Sequence, residues 1–258
     1  MSFVIESFKC ANTMPDIDQI DRSFELKFEH MNMDNCLSLP ILFDMMQAVA
    51  WEHADVNGKG TALLEENKCW ILSRIHLKIN KLPTIDETIR ITTWLKSFTG
   101  ILVNRDFIGY NEKDEPVFWC TSVWVLIDLK RRRPIRLQGI TEGVTFIDND
   151  ALPAMIKKMA LPVNDHVFET FKVRYSDLDR NQHLNNRNYV KWIIDCHPTN
   201  LVKENQIEEL QIQFQSESNW GDQVNIVGDL QDGVSTFEGI RTSDEKSIFR
   251  SLCKWKKR

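Results

Sequence analysis

The chain has 258 residues, of which 42% are hydrophobic and 27% charged, with a formal net charge of −5. That length carries one large domain or two of ordinary size, and the composition excludes a disordered chain. The acidic balance argues against a nucleic-acid binder, and no apolar run is long enough to span a bilayer.

The opening residues, MSFVIESFKCANTMPD, lack a basic start followed by a long apolar stretch, so no signal peptide is expected. Six cysteines (Cys10, Cys36, Cys69, Cys120, Cys196, Cys253) form no CxxC pair and no zinc-type Cys/His spacing. They read as free buried thiols of a reducing cytoplasm. The sequence shows no metal-ligand cluster and no glycine-rich nucleotide fingerprint, so neither metal nor cofactor is expected.

Residues 24–49 (FELKFEHMNMDNCLSLPILFDMMQAV) begin as a short alternating strand, pass through a polar stretch and enter a helical pattern. The same succession returns in residues 171–196 (FKVRYSDLDRNQHLNNRNYVKWIIDC) at an offset of 147, which lays Phe28 on Tyr175. In the later copy Tyr189, Trp192, Ile193 and Cys196 fall at i, i+3, i+4 and i+7, one face of a helix. Their counterparts Leu42, Met45, Met46 and Val49 are apolar too.

Further along, Ile75, Leu77 and Ile79 alternate with polar residues, as do Leu210, Ile212 and Phe214 at an offset of 135. Turns are expected at Asp86-Glu87 and at Gly221-Asp222. Phe118 and Trp124 meet Phe249 and Trp255 at an offset of 131. Each half therefore reads as strand, helix of roughly four turns, then antiparallel strands, an α+β arrangement. Two copies in one chain suggest a pseudo-symmetric dimer fused head to tail. The expected divisions are residues 1–137, a linker over 138–166, and residues 167–258. Further homodimerisation is compatible with this plan but not fixed by it.

The stretch RYSDLDRNQHLNNRNYVKWIID resembles the motif region of the acyl-acyl carrier protein thioesterases of plant plastids and bacteria. The first half resembles them in AWEHAD, CWILSRIHLKI, TWLKSF and TSVWVLIDLKRRRPIRL, so the resemblance covers about residues 20–255. It implies a double hotdog fold, each half a long helix cradled by a curved antiparallel sheet. It also implies hydrolysis of fatty acyl-acyl carrier protein, releasing free acid and ending chain elongation. An acyl-CoA thioesterase and a non-catalytic acyl-binding hotdog protein are the alternatives.

The resemblance carries catalytic roles to Asp179, Asn181, His183 and Glu217. A spacing of two would set the first three side chains on one side of an extended segment. There His183 positions or protonates, Asn181 holds carbonyl or water, and Asp179 orients His183 or attacks. Glu217 is preferred as the base on water. Ser218 follows it where plant enzymes often carry cysteine, which excludes a thiol nucleophile there. The first copy has Asn32, Asp34, Cys36 and Leu82 instead, so one site per chain is expected. Taken alone, Asp177, Asp179, Asn181 and Asn185 are turn and cap formers, and Asn186 is an expected N-cap.

Met45 and Met46 are candidates for shaping an acyl tunnel, against the plainer reading that they are core. Lys130, Arg131, Arg132, Arg133 and Arg136 form the densest positive run. They are candidates for docking an acidic acyl carrier protein, with the tail CKWKKR as the rival patch.

Overall fold

The structure is a computed structural model that describes residues 17–152, 159–160 and 162–258. Cys10 and the opening residues lie outside this range. Two helices bear on one continuous sheet of eleven strands.

The first half contributes β1 (Gln19–Glu25), β2 (Lys68–Ile79), β3 (Thr88–Thr99), β4 (Leu102–Tyr110) and β5 (Pro116–Asp128). A two-residue strand, β6 (Arg133–Pro134), folds back on β5. The second half contributes β7 (Val167–Lys172), β8 (Asn205–Phe214), β9 (Gln223–Gln231), β10 (Val234–Arg241) and β11 (Ser247–Lys257). The order is β1-β3-β4-β5-β2-β8-β11-β10-β9-β7, so the second half mirrors the first. The two join where β2 pairs antiparallel with β8: Ile75 faces Ile212, His76 faces Gln211 and Leu77 faces Leu210. An offset of 135 maps this register onto itself, with His76 and Gln211 on the pseudo-dyad.

The long helix of the first half, α1 (Leu39–Val56), is followed by a short α2 (Thr61–Glu65). The second half has α3 (Asn186–Asp195) and α4 (Thr199–Glu204). The expected faces are the buried ones: Leu42, Met45, Met46 and Val49 of α1 join Tyr189, Trp192 and Ile193 of α3, and Cys196 at its C-cap, in one core cluster. Each such fully buried side chain stabilises the fold by about 1.5–3 kcal/mol relative to exposure. A Leu42→Ala change would cost roughly 2–5 kcal/mol with the cavity it leaves.

The four-turn helix expected in both halves holds for neither. The first runs to 18 residues, the second stops after 10. Pro198 occupies the position equivalent to Trp51 of α1. Proline cannot donate to the helix ladder and restricts the residue before it, so α3 ends and α4 starts afresh.

A close approach repeats in both halves. Gly109 faces Phe118 across β4–β5, and Gly239 faces Phe249 across β10–β11. A Cβ at either glycine would lie 2.1 Å or 2.3 Å from the opposing ring. Only a bare α-carbon lets these fully buried rings lie over the neighbouring strand.

The segment expected to be a linker is packed rather than loose where it is described. Ile147 N–H bonds to Leu95 O, the Trp94 indole N–H to Asn149 O, and Ala151 N–H to a carboxylate oxygen of Asp106 at 2.7 Å. Leu152 is buried.

Candidate active site

The motif loop is built by local hydrogen bonding. Residues 175–177 form a 3-10 turn, and Leu178 bridges back to Leu184. Between them Asp179 Oδ1 accepts the backbone N–H groups of Asn181 (2.8 Å) and His183 (3.1 Å). Asp179 N–H donates to His183 O, and Gln182 takes a left-handed conformation with φ 65°. The segment is thus a closed loop. This corrects the extended geometry expected from the spacing of two, because an Asp that captures backbone donors two and four residues on curls the chain.

The first half makes the same loop with other side chains. Asn32 Oδ1 accepts from the backbone of Asp34 and Cys36, and Asn35 has φ 58°. Asp179 and Asn32 do the same structural work, and an amide does it as well as a carboxylate.

His183 is carried toward the second half's turn by a bridge to Asn219, as Cys36 is bridged to Thr84. Its Nε2 lies 3.3 Å from Glu217 Oε2. Arg132, from the turn between β5 and β6, ion-pairs with the same Glu217 oxygen. The turn carrying Glu217 is held by Arg241, whose Nη1 donates to Glu217 O at 2.9 Å and which also pairs with Asp222 and Asp244. Those acceptors raise the Arg241 pKa above its ordinary value, the Asp244 hydrogen bond foremost. Ser218, next in sequence, is fully buried and turned from solvent.

Helix α3 is capped by Asn185, whose side chain accepts from Arg187 N–H at 3.1 Å. Asn186, the expected cap, is instead the first helical residue and donates to the Gln47 side chain of α1. Asp177 accepts Arg174 N–H, a structural role.

Asn181, with Arg180 and Asn185, lines a cavity of about 530 Å³ that lies in the first half. Its walls come from α1 (Ala48, Trp51), β2 (Cys69, Trp70), β3–β5 (Leu95, Val103, Trp124) and residues 140–146. An apolar cavity beside polar groups suits a chain with one reactive end. Met45 and Met46 do not line it. They sit at 6% and 2% exposure in the main core cluster. Ala48 and Trp51 are among the α1 residues that do line it. The contribution of residues 140–146 was invisible in sequence, since an aperiodic segment gives no sign of which wall it covers.

A second cavity, of about 1190 Å³, occupies the equivalent place in the second half. It is lined by Asn32, Asp34, Cys36 and Leu82, the counterparts of Asp179, Asn181, His183 and Glu217. There Asp34 is ion-paired with Arg258. The first half has no carboxylate–imidazole pair at this position.

Lys130, Arg131, Arg132, Arg133 and Arg136 are all exposed. Arg131 is 3.9 Å from Asp128, and Arg132 is committed to Glu217. The rival tail is more heavily paired: Lys254 with Glu209, Lys256 with Glu208 and Arg258 with Asp34. Among the described residues no group of three or more His, Cys, Asp or Glu gathers to hold a metal ion. No described helix is long and apolar enough to cross a membrane.

Mirror-ordered half-sheets, each with a helix against one face, define a double hotdog. The computed structure superposes on an acyl-ACP thioesterase from Bacteroides thetaiotaomicron with a TM-score of 0.85 at 24% identity, covering 93% of this chain and 98% of that one. A 12:0-ACP thioesterase from Umbellularia californica gives a TM-score of 0.78 at 22% identity, with 93% and 98% covered. Residues 18–142 match the acyl-ACP thioesterase N-terminal domain and residues 161–257 the C-terminal domain. The chain belongs to the acyl-ACP thioesterase family. Among curated relatives, the palmitoyl-acyl carrier protein thioesterase of Gossypium hirsutum is 25% identical over 83% of this chain. The dodecanoyl-[acyl-carrier-protein] hydrolase of Umbellularia californica is 26% identical over 76%. The chain spans about half the length of these relatives, 55% of each.

Proposed function

We propose that the protein hydrolyses the thioester of fatty acyl-acyl carrier protein at a single site formed by Glu217, His183 and Asn181. The observation that carries this reading is the 3.3 Å approach of His183 Nε2 to Glu217 Oε2, with Asn181 of the same loop lining an apolar cavity. The acyl chain occupies the first-half cavity and the thioester lies near Asn181. Glu217 takes a proton from water as its oxygen bonds to the thioester carbon. Asn181 N–H groups donate to the oxyanion. The carbon–sulfur bond then breaks, and the proton held by the Glu217–His183 pair passes to the departing thiolate. Asp179 holds the loop that presents His183 and takes no part in bond making. Arg132 fixes the Glu217 carboxylate from the first half.

Lys130, Arg131, Arg133 and Arg136 form the docking patch for the acidic carrier protein, supported by their exposure and by the heavier pairing of the rival tail. A reducing cytoplasm fits the free state of the five described cysteines. The test is a panel of acyl-carrier-protein and acyl-CoA thioesters, measuring thiol and free acid released. Turnover of the carrier-protein series at higher kcat/KM supports the reading. Turnover of the CoA series alone moves the protein to the acyl-CoA thioesterases.

A further inference from the structure

Arg105 of β4 is 5% exposed and lines the first-half cavity. Buried guanidinium groups are normally paired with a carboxylate. This one is not: no acid among the described residues contributes to its ionisation, and burial alone lowers its pKa to about 9. It stays charged at neutral pH.

Its neighbours do not neutralise it. Nη1 donates to Thr93 Oγ1 at 3.1 Å and lies 3.0 Å from His53 Nδ1. His53 Nε2 is 2.7 Å from Ile17 O, an acceptor only, so that nitrogen carries the proton and Nδ1 accepts from Arg105. Burial, and then the Arg105 charge, hold the His53 pKa down at about 4, so the ring is neutral. Asp106 adjoins Arg105 in sequence but points to the opposite face of the strand, where it accepts from Ala151 N–H. The Nε and Nη2 donors of Arg105 bond to no described residue.

Two measures of the fold bracket how far in this cation lies. Cys69 of β2 feels the charges of Asp179 and Arg180 in the motif loop. Arg105 lies two strands across from it, about 10 Å, and five residues further along β5 (Cys69 faces Ile127, Arg105 faces Ser122), about 17 Å. Along α1, His53 lies six residues beyond Gln47, whose side chain meets Asn186, or about 9 Å at helical rise. An acyl chain running inward from the thioester meets the guanidinium within that range.

We infer that this cavity binds an acyl chain bearing an oxygen acceptor, a hydroxyl or a carboxylate, on its distal part, with the free N–H groups of Arg105 as its recognition site. The inference rests on the thioesterase reading and adds a substrate class to it. A saturated chain would leave the buried charge unpaired, whereas an oxygenated one supplies the missing acceptor.

The test compares saturated, ω-hydroxy and ω-carboxy carrier-protein thioesters, matched in length at octanoyl and again at hexadecanoyl, with the wild-type protein. An oxygenated chain is expected to exceed the saturated one in kcat/KM by roughly 10- to 100-fold, the effect of one charge-assisted hydrogen bond. The carboxylate leads if the charge is what is recognised, the hydroxyl if a neutral acceptor suffices. In Arg105→Met, with folding checked by circular dichroism, the ratio should fall to about one. Hydrolysis of the saturated chain equal to or faster than both oxygenated chains in the wild type overturns the inference and leaves the thioesterase reading standing. Hydrolysis of none of a full range of thioesters removes the thioesterase reading itself.

Discussion

Arg132 of the first half forms an ion pair with Glu217 of the second, and His183 approaches that same carboxylate oxygen at 3.3 Å. The candidate site is therefore completed by both halves, although its acid and its imidazole both come from the second. A residue expected to dock a partner is instead committed to the site's carboxylate. Arg132→Ala should lower kcat about tenfold or more, since the carboxylate loses a fixed orientation, while KM for the carrier-protein substrate changes little. Steady-state kinetics decide it: a raised KM with kcat intact would return Arg132 to a docking role.

Asp179 gives a test with an internal control. Asn32 makes the equivalent two backbone hydrogen bonds in the first half without a charge. Asp179→Asn should therefore keep the loop and most of the activity. Asp179→Ala loses both bonds and should cost about 1–2 kcal/mol of stability with a matching fall in rate. Thermal unfolding and kcat of the two variants check this, and an inactive but stably folded Asp179→Asn protein would make Asp179 a chemical participant.

Ser218 is fully buried beside the half-buried Glu217. Ser218→Ala is expected to retain at least half of the wild-type rate. A folded Ser218→Ala protein without activity would remove the assignment of Glu217 as base in favour of a hydroxyl nucleophile.

Acid should destabilise the fold above the range in which carboxylates titrate. Burial holds the pKa of His197 at about 4, and burial with the Arg105 charge does the same for His53. Unfolded, each takes up a proton near its ordinary 6.5, so between pH 6.5 and 4 the unfolded chain binds more protons than the folded one. Stability then rises with pH across that window, and is lost on acidification by on the order of 1 kcal/mol per group per pH unit. His197, whose Nε2 meets Ser235 Oγ at 2.8 Å, can be replaced without touching the first-half cavity. Melting temperatures from pH 7 to 4.5 should fall less steeply in His197→Gln than in the wild type. Equal slopes would show that this ring is not the source.

The double hotdog was legible because repetition leaves a trace at the residues that cannot vary freely. Leu42 and Tyr189, Ile75 and Leu210, and Phe118 and Phe249 are equivalent buried positions, and apolar periodicity finds such positions. The left-handed turns at Asp86 and Gly221 were readable for the same reason, since few residues tolerate φ 65° or 90°. The site was only partly legible. Asp179 looks the same in sequence whether it bonds to its own loop or to a substrate, and only the coordinates of its Oδ1 separate the two. Met45 shares its apolar character with the cavity wall but packs in the core cluster. The pairing of Arg132 with Glu217 joins residues 85 positions apart, and no local pattern encodes it.

The central claim is that one carboxylate in the second half activates water on a carrier-bound acyl chain. The most direct measurement is the rate of thiol and free-acid release from acyl-carrier-protein thioesters by the wild type and by Glu217→Gln, an isosteric change that removes the base. The account predicts stoichiometric release by the wild type and a fall of roughly 10²–10⁴-fold in the variant, with its melting temperature nearly unchanged. A folded Glu217→Gln protein that hydrolyses these thioesters at the wild-type rate would contradict it.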